Sequence, residues 1–198
     1  MIYANGLGEE SVRQARRALE SAVRRGGPVP RSTPRSAGSE RAGVFVTLKR
    51  YPSNELRGCV GFPWPTLPRD EAIDRAAVAA GLDDPRFPPV EPAELDHLVL
   101  EVSLLTSPEP IGAEDAAGRR GGVEVGRHGL IVSAHGASGL LLPQVAVEQG
   151  WDAETFLDAT CEKAGLSRGA WRKPGTRVDR FEAAVFAERS PGGEVGRA

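Results

Sequence analysis

Cysteine, histidine and lysine are scarce in this sequence, and each scarcity removes a class of chemistry. There are 2 cysteines in 198 residues, Cys59 and Cys161. They form no CxxC pair, which excludes a zinc ribbon and a thioredoxin motif. So few thiols fit a reducing, cytoplasmic setting better than a secreted one. Histidine occurs 3 times, and no His/Asp/Glu cluster has metal-ligand spacing, so no metal site is expected. Lysine stands only at 49, 163 and 173; the rest of the 25 basic residues are arginine, which pairs bidentately and stacks better than lysine. Charge of either sign is not in excess. The net value of −2 gives no electrostatic signal for nucleic acid or a membrane surface. No apolar run approaches the ~20 residues of a membrane span, and Met1-Ile2-Tyr3-Ala4-Asn5 is no signal peptide. Also missing are a GxGxxG after a strand, a GxxxxGK[ST] loop and a GxSxG elbow.

What is present reads as a soluble α+β chain of one domain, large enough to bury a core without disulfides. Val12, Ala15, Leu19, Ala22 and Val23 have helical spacing within 9–25. Residues 26–42 read as a surface loop. Gly43–Lys49 and Glu55–Gly61 alternate as the strands of a hairpin, with a turn at 50–54. Prolines at 63, 65 and 68 forbid regular structure, and Pro68 opens a helix over 69–80. A helical turn is expected over 92–96 and an apolar strand over 98–105. After a linker, short strands are expected at 122–126, 130–134 and 139–142, and helices at 144–149 and 152–164, the second capped by Asp152. Val178–Glu188 closes as a strand. Strands and helices in no regular βαβ order place the chain in the α+β class.

The strand Leu56–Gly61 holds the best site. If it pairs with 43–49 across the five-residue turn, Val44, Val46 and Leu48 face Val60, Gly58 and Leu56 toward the core. Phe45, Thr47 and Lys49 then face Cys59, Arg57 and Glu55 on the outer side. Arg57 and Cys59 stand about 7 Å apart on that face, where a guanidinium stabilises a thiolate. Gly58 and Gly61 leave the backbone open to a ligand. The plainer reading makes Cys59 a small hydrophobe and Gly58 room for Val46 or a helix. Glu101 and Ser103 share one face of an apolar strand, a costly place for a lone carboxylate; Arg57 or Arg86 is its expected partner. Asp84 and Arg86 are placed to pair with each other. His128 and His135 flank the strand 130–134 and offer a Cys59–His dyad as a further arrangement. Cys161 reads as core.

Leu56-Arg57-Gly58-Cys59-Val60-Gly61 resembles the signature hexapeptide of the AMMECR family, usually LRGCIG, with Val60 in place of Ile. The likeness continues through Gly43–Leu48, the Asp84-Pro85-Arg86-Phe87-Pro88-Pro89 loop, Glu94-Leu95, Glu101–Leu105, His128-Gly129-Leu130, Gly139–Gln144, Trp151, Cys161–Leu166 and Trp171, so that it covers roughly residues 10 to 188. The resemblance implies an α+β fold of mixed or antiparallel sheets with helices, and a larger and a smaller lobe with a cleft between them. One such domain then spans 1–198, with a flexible tail at 189–198. No established activity comes with the family. Its members are widespread in archaea and eukaryotes, and in many bacteria they stand alongside a Memo-like dioxygenase-type protein and a radical-SAM protein. That company implies a modification pathway and those two proteins as partners.

Three readings of the site follow. As an enzyme, the chain uses Cys59 as nucleophile or redox thiol, Arg57 to hold an anionic group and Glu101 to move a proton. Gly58, Asp84, Arg86, Ser103 and His128 then line the ligand site. As a binding module for a nucleotide, RNA or partner protein, it uses Arg57 and Arg86 as anion contacts and Trp64 or Phe87 to stack, while Cys59 only packs. As a scaffold, the signature strand is structural. The residues do not rank the first two readings, and they name no cofactor.

Overall fold

Helical spacing of apolar side chains makes the first element. α1 (Asn5–Arg25) buries Val12, Ala15, Leu19, Ala22 and Val23 and turns Arg13 outward, where it pairs with Glu9 one turn back at 2.8 Å. The helix begins four residues before the periodic pattern does. The computed structural model describes residues 3–25, 40–112 and 115–198, so most of the loop expected over 26–42 lies outside the described residues. The chain divides into two compact units, Met1–Leu105 with Ala184–Ala198, and Thr106–Ala183.

In the first unit, β1 (Gly43–Arg50) lies between β2 (Leu56–Phe62) and β3 (Leu98–Leu105), all antiparallel. Val44, Val46 and Leu48 alternate with the less buried Phe45, Thr47 and Lys49 along β1 and are fully buried. With Leu100, Val102 and Leu104 of β3 they form a core against α1 and α2 (Arg69–Leu82), whose inward residues Ile73, Ala76, Ala77 and Ala80 have no exposed surface. Pro68 stands immediately before α2 without capping it by a side chain, and Asp70 and Glu71 occupy its first turn, where their charge suits the helix dipole. A 3₁₀ turn, Pro92–His97, leads into β3. The residues expected as a tail instead contribute β8 (Val195–Arg197), paired with the end of β7 (Arg177–Glu188).

The second unit holds β4 (Glu109–Pro110), β5 (His128–Ala134), β6 (Ala137–Leu141) and the first part of β7, with β7 between β4 and β5. α4 (Pro143–Glu148) and α5 (Ala153–Lys163) follow. Asp152 caps α5 as its residue type foretells, accepting from the Thr155 N–H at 2.8 Å. Leu130, Val132, Phe156, Leu157, Cys161, Trp171 and Val178 make this unit's own core. Two expectations fail here. The linker contains a helix, α3 (Ala116–Gly121), whose N-terminus is capped by Asp115. The strand expected at 122–126 is a turn: Glu124 O accepts from the N–H groups of Arg127 and His128, and Gly126 takes a left-handed φ of 87°.

The hairpin register also differs from the alternation estimate. Val46 pairs with Val60, Thr47 with Cys59 and Leu48 with Gly58, after which the ladder jumps to Lys49 opposite Leu56. Arg57 is the extra residue of a β-bulge. Because side chains alternate with a period of two, one inserted residue reverses the faces that precede it. Leu56, expected in the core opposite Leu48, is therefore 41% exposed, and Arg57, expected on the open face, is buried. Gly58 lies beneath α2. A Cβ there would stand 2.1 Å from the carbonyl oxygen of Ala80, a backbone atom that cannot swing aside. Gly58→Ala is expected to destabilise the first unit by about 1–3 kcal/mol, read as a lower denaturant midpoint by circular dichroism.

Candidate functional site

A bulge frees one residue from the ladder, and here that residue is cationic. The Arg57 side chain is 2% exposed. Its Nε donates to Glu94 Oε1 at 2.8 Å and its Nη2 to Glu94 Oε2 at 2.9 Å. Glu94 sits in the 3₁₀ turn, where its Oε2 also accepts the Glu91 N–H at 3.0 Å. This charge-assisted fork holds the Glu94 carboxyl below the usual carboxylate range, with the Arg57 hydrogen bond as the largest cause. Arg57 is therefore committed to Glu94 and is not the open anion contact its sequence position suggested. Its Nη1 is buried and has no hydrogen-bond partner among the described residues.

Cys59 lies two positions on and is half buried. β2 is the edge of its sheet, so every second residue turns its N–H and C=O outward. At Cys59 a loop takes both groups. Its N–H donates to Asp84 Oδ2 at 2.8 Å, and its carbonyl accepts from Arg86 Nη2 at 3.2 Å. Asp84 and Arg86 close the arrangement on themselves through an ion pair of 2.7 Å, the mutual pairing read from the sequence. Asp84 is buried, and its carboxyl is held far below the usual range, chiefly by the Arg86 hydrogen bond and further by the amides of Cys59 and Arg86. The Phe87 ring lies 5.8 Å from the Arg57 guanidinium carbon and 5.6 Å from that of Arg86, so both cations bear on one ring.

With its main-chain groups turned to the loop, Cys59 forms a non-hydrogen-bonded pair with Thr47, the closer type of cross-strand neighbour, at about 4.5 Å between α-carbons. Thr47 Oγ1 donates to Cys59 Sγ at 3.3 Å. Thr47 is also the register partner of Glu101 on β3, so Cys59, Thr47 and Glu101 form one row across three strands. Glu101 is paired with Lys49 at 2.9 Å, not with Arg57 or Arg86 as expected. In the next row Ser103 stands opposite Phe45; its hydroxyl is buried and makes no hydrogen bond among the described residues. Thus Cys59, Glu101 and Ser103 share one sheet face. Asp84 and Arg86 hold its edge from the side, Gly58 faces α2, and Arg57 is turned to Glu94. His128 belongs to the unit Thr106–Ala183, where its Nδ1 accepts the Glu124 N–H at 3.0 Å.

Sequence reasoning missed Thr47, Lys49 and Glu94. Alternation does mark Thr47 and Lys49 as the polar side of β1; what misplaced them opposite Arg57 and Glu55 was the register. Glu94 carried no local signal. Among the described residues no group of three or more His, Cys, Asp or Glu is placed to hold a metal ion, and no helix is long and apolar enough to cross a membrane.

The family model AMMECR1 matches residues 12–186. A protein of Thermococcus gammatolerans is 53% identical over 196 residues, which cover 96% of this chain and 94% of that protein. One of Thermofilum pendens is 49% identical over 194 residues, 93% of this chain and 91% of its own length. The crystal structure of an uncharacterised protein from Pyrococcus horikoshii matches with a TM-score of 0.88 at 48% identity, covering 98% of each chain. The α+β class and the resemblance read from the sequence both hold.

Two predictions follow from the ion pairs. Glu94→Ala leaves the buried Arg57 charge without its partner, and a loss of about 3 kcal/mol is expected in chemical denaturation. Asp84 has a folded-state pKa below its ordinary value, so its contribution is complete above about pH 4 and is lost as pH falls further. Asp84→Asn is accordingly expected to be less stable than the natural protein at pH 7, with the gap closing below about pH 4 in thermal melts taken across the acid range.

Proposed function

We propose that this chain, which belongs to the AMMECR1 family, is a thiol-dependent enzyme of a modification pathway in which Cys59 is the attacking group. The observation that carries the reading is the Thr47 hydroxyl donating to Cys59 Sγ at 3.3 Å on a half-buried sheet face. A donor aimed at sulfur stabilises the negative charge that the sulfur holds as it attacks. The half-buried thiol gives its proton to solvent, while Glu101, on the other side of Thr47, holds Lys49 at 2.9 Å. The Lys49 ammonium, about a third exposed, meets an anionic group of the substrate. Asp84 and Arg86 are positioning residues that act through the Cys59 main chain. Two free thiols suit a reducing, intracellular compartment.

A second reading keeps the chain a non-catalytic binding module for a nucleotide, RNA or partner protein. Its support is Arg86, whose side chain is 53% exposed beside Phe87, with the Trp64 indole also at the surface. Under it, Arg86→Ala abolishes ligand binding and Cys59→Ser does not.

Alkylation by iodoacetamide at pH 7, mapped by mass spectrometry, tests the enzyme reading. Cys59 in the folded protein is expected to react faster than a model thiol. Thr47→Val should slow it by about fivefold, the worth of one hydrogen bond near 1 kcal/mol, while Cys161, which has no exposed surface, stays unlabelled. A Cys59 that reacts no faster than the model thiol rules the reading out.

A further inference from the structure

The second unit contains a cavity that the Cys59 chemistry does not use. Its volume is about 380 Å³, within the range of small-ligand sites. It forms where one sheet face changes character. Leu130, Val132 and Val178 on β5 and β7 belong to the apolar core. Over the last two rows of the same face the register pairs Leu130 with Arg180 and His128 with Glu182, and Arg180 is in turn the partner of Glu109 on β4. The end of α3, at Gly121 and Gly122, forms the facing wall.

The charges in the cavity do not cancel evenly. Arg127 is committed to Glu124 at 3.1 Å and to Glu182 at 2.9 Å. Arg180 gives Nη1 to the carbonyl of Gly122 at 2.9 Å, and among the described residues its guanidinium makes no ion pair. Glu109 is exposed at the mouth, and among the described residues it makes no ion pair with Arg180 or any other cation. His128 is buried. Because its Nδ1 accepts the Glu124 N–H, the ring proton sits on Nε2, making that edge a donor. Burial pushes the imidazole pKa down, and the neighbouring Arg180 and Arg127 push it the same way, against weaker opposition from Glu124 and Glu182. His128 is thus a neutral donor at pH 7.

Among the described residues the cavity therefore presents one cation and one anion outside any ion pair, together with a neutral donor. We propose that it binds a small zwitterion of the α-amino-acid type, the carboxylate held by Arg180 and His128 Nε2–H and the ammonium by Glu109. A simple anion is a poorer match, because Glu109 repels it at the entrance. A simple cation is a poorer match, because Arg180 stands opposite Glu109.

The test reads the three imidazoles of the full-length protein by long-range ¹H–¹⁵N NMR while the common L-amino acids are added one at a time. At least one amino acid is expected to move the His128 resonances saturably, leaving His97 and His135 unmoved, and to raise the His128 pKa because a carboxylate arrives beside it. The N-acetyl form of that amino acid, which lacks the ammonium, and inorganic phosphate should bind at least about tenfold more weakly. Glu109→Gln should remove the advantage over the N-acetyl form, and Arg180→Gln should remove binding of both; retained dispersion of the amide spectrum shows that each variant is folded. The same titration in Cys59→Ser should be unchanged, which separates this site from the thiol chemistry. The proposal is overturned if no amino acid moves His128 selectively, if the N-acetyl form or phosphate binds as tightly, or if Arg180→Gln folds and binds as before.

Discussion

The buried ion pair between Arg57 and Glu94 governs the rest of the first unit. A guanidinium with 2% exposure is tolerable only with a well-aligned partner, and Glu94 supplies two hydrogen bonds of 2.8 and 2.9 Å. To reach it, Arg57 leaves the β1–β2 ladder and becomes the extra residue of the bulge. That single displacement sets which residues meet across the hairpin. Leu56 goes to solvent, Gly58 goes beneath α2, and Cys59 comes opposite Thr47.

The signature strand then divides by task. Arg57 serves the ion pair. Gly58 admits the Ala80 carbonyl, and Gly61 admits the Phe45 ring, 2.4 Å from where a Cβ would lie. Val60 packs on the core. The main chain of Cys59 is held by Asp84 and Arg86, which satisfy an edge strand much as another strand would and so guard it against stray pairing. Apart from Leu56, which faces solvent, only the sulfur remains without a packing task. It is half buried, and the hydrogen bond it receives comes from a hydroxyl. For this reason the site reading rests on Cys59, Thr47 and Glu101, with Arg57 as part of the framework.

Much of this was legible in the residues. The spacing of Val12, Ala15, Leu19 and Val23, the alternation of Val44, Val46 and Leu48, and the Asp152 cap each report a local rule, and the elements formed where those rules apply. The Asp84–Arg86 pair was legible because a proline-stiffened loop keeps the two residues close. The hairpin register was not. A bulge is set by a distant partner, Glu94, 37 residues further along the chain, and no alternation count contains that contact. The Glu101–Lys49 pair was hidden for the same reason, since it depends on β3 pairing with β1 and not on nearness in sequence. α3 escaped notice because its six residues, Ala-Ala-Gly-Arg-Arg-Gly, carry no apolar stripe, and its start is fixed by the Asp115 cap alone.

The central claim is that Arg57 holds the frame and does not act on the thiol. It is tested most directly by replacing the whole pair with apolar side chains, Arg57→Met with Glu94→Leu, a change that keeps volume and removes both charges. The alkylation rate of Cys59 at neutral pH is then compared with that of the natural protein. The structure predicts a folded protein whose Cys59 rate is unchanged within about twofold, less than the worth of one hydrogen bond. A folded double variant whose Cys59 rate collapses to that of a free thiol would contradict it and return Arg57 to the chemistry.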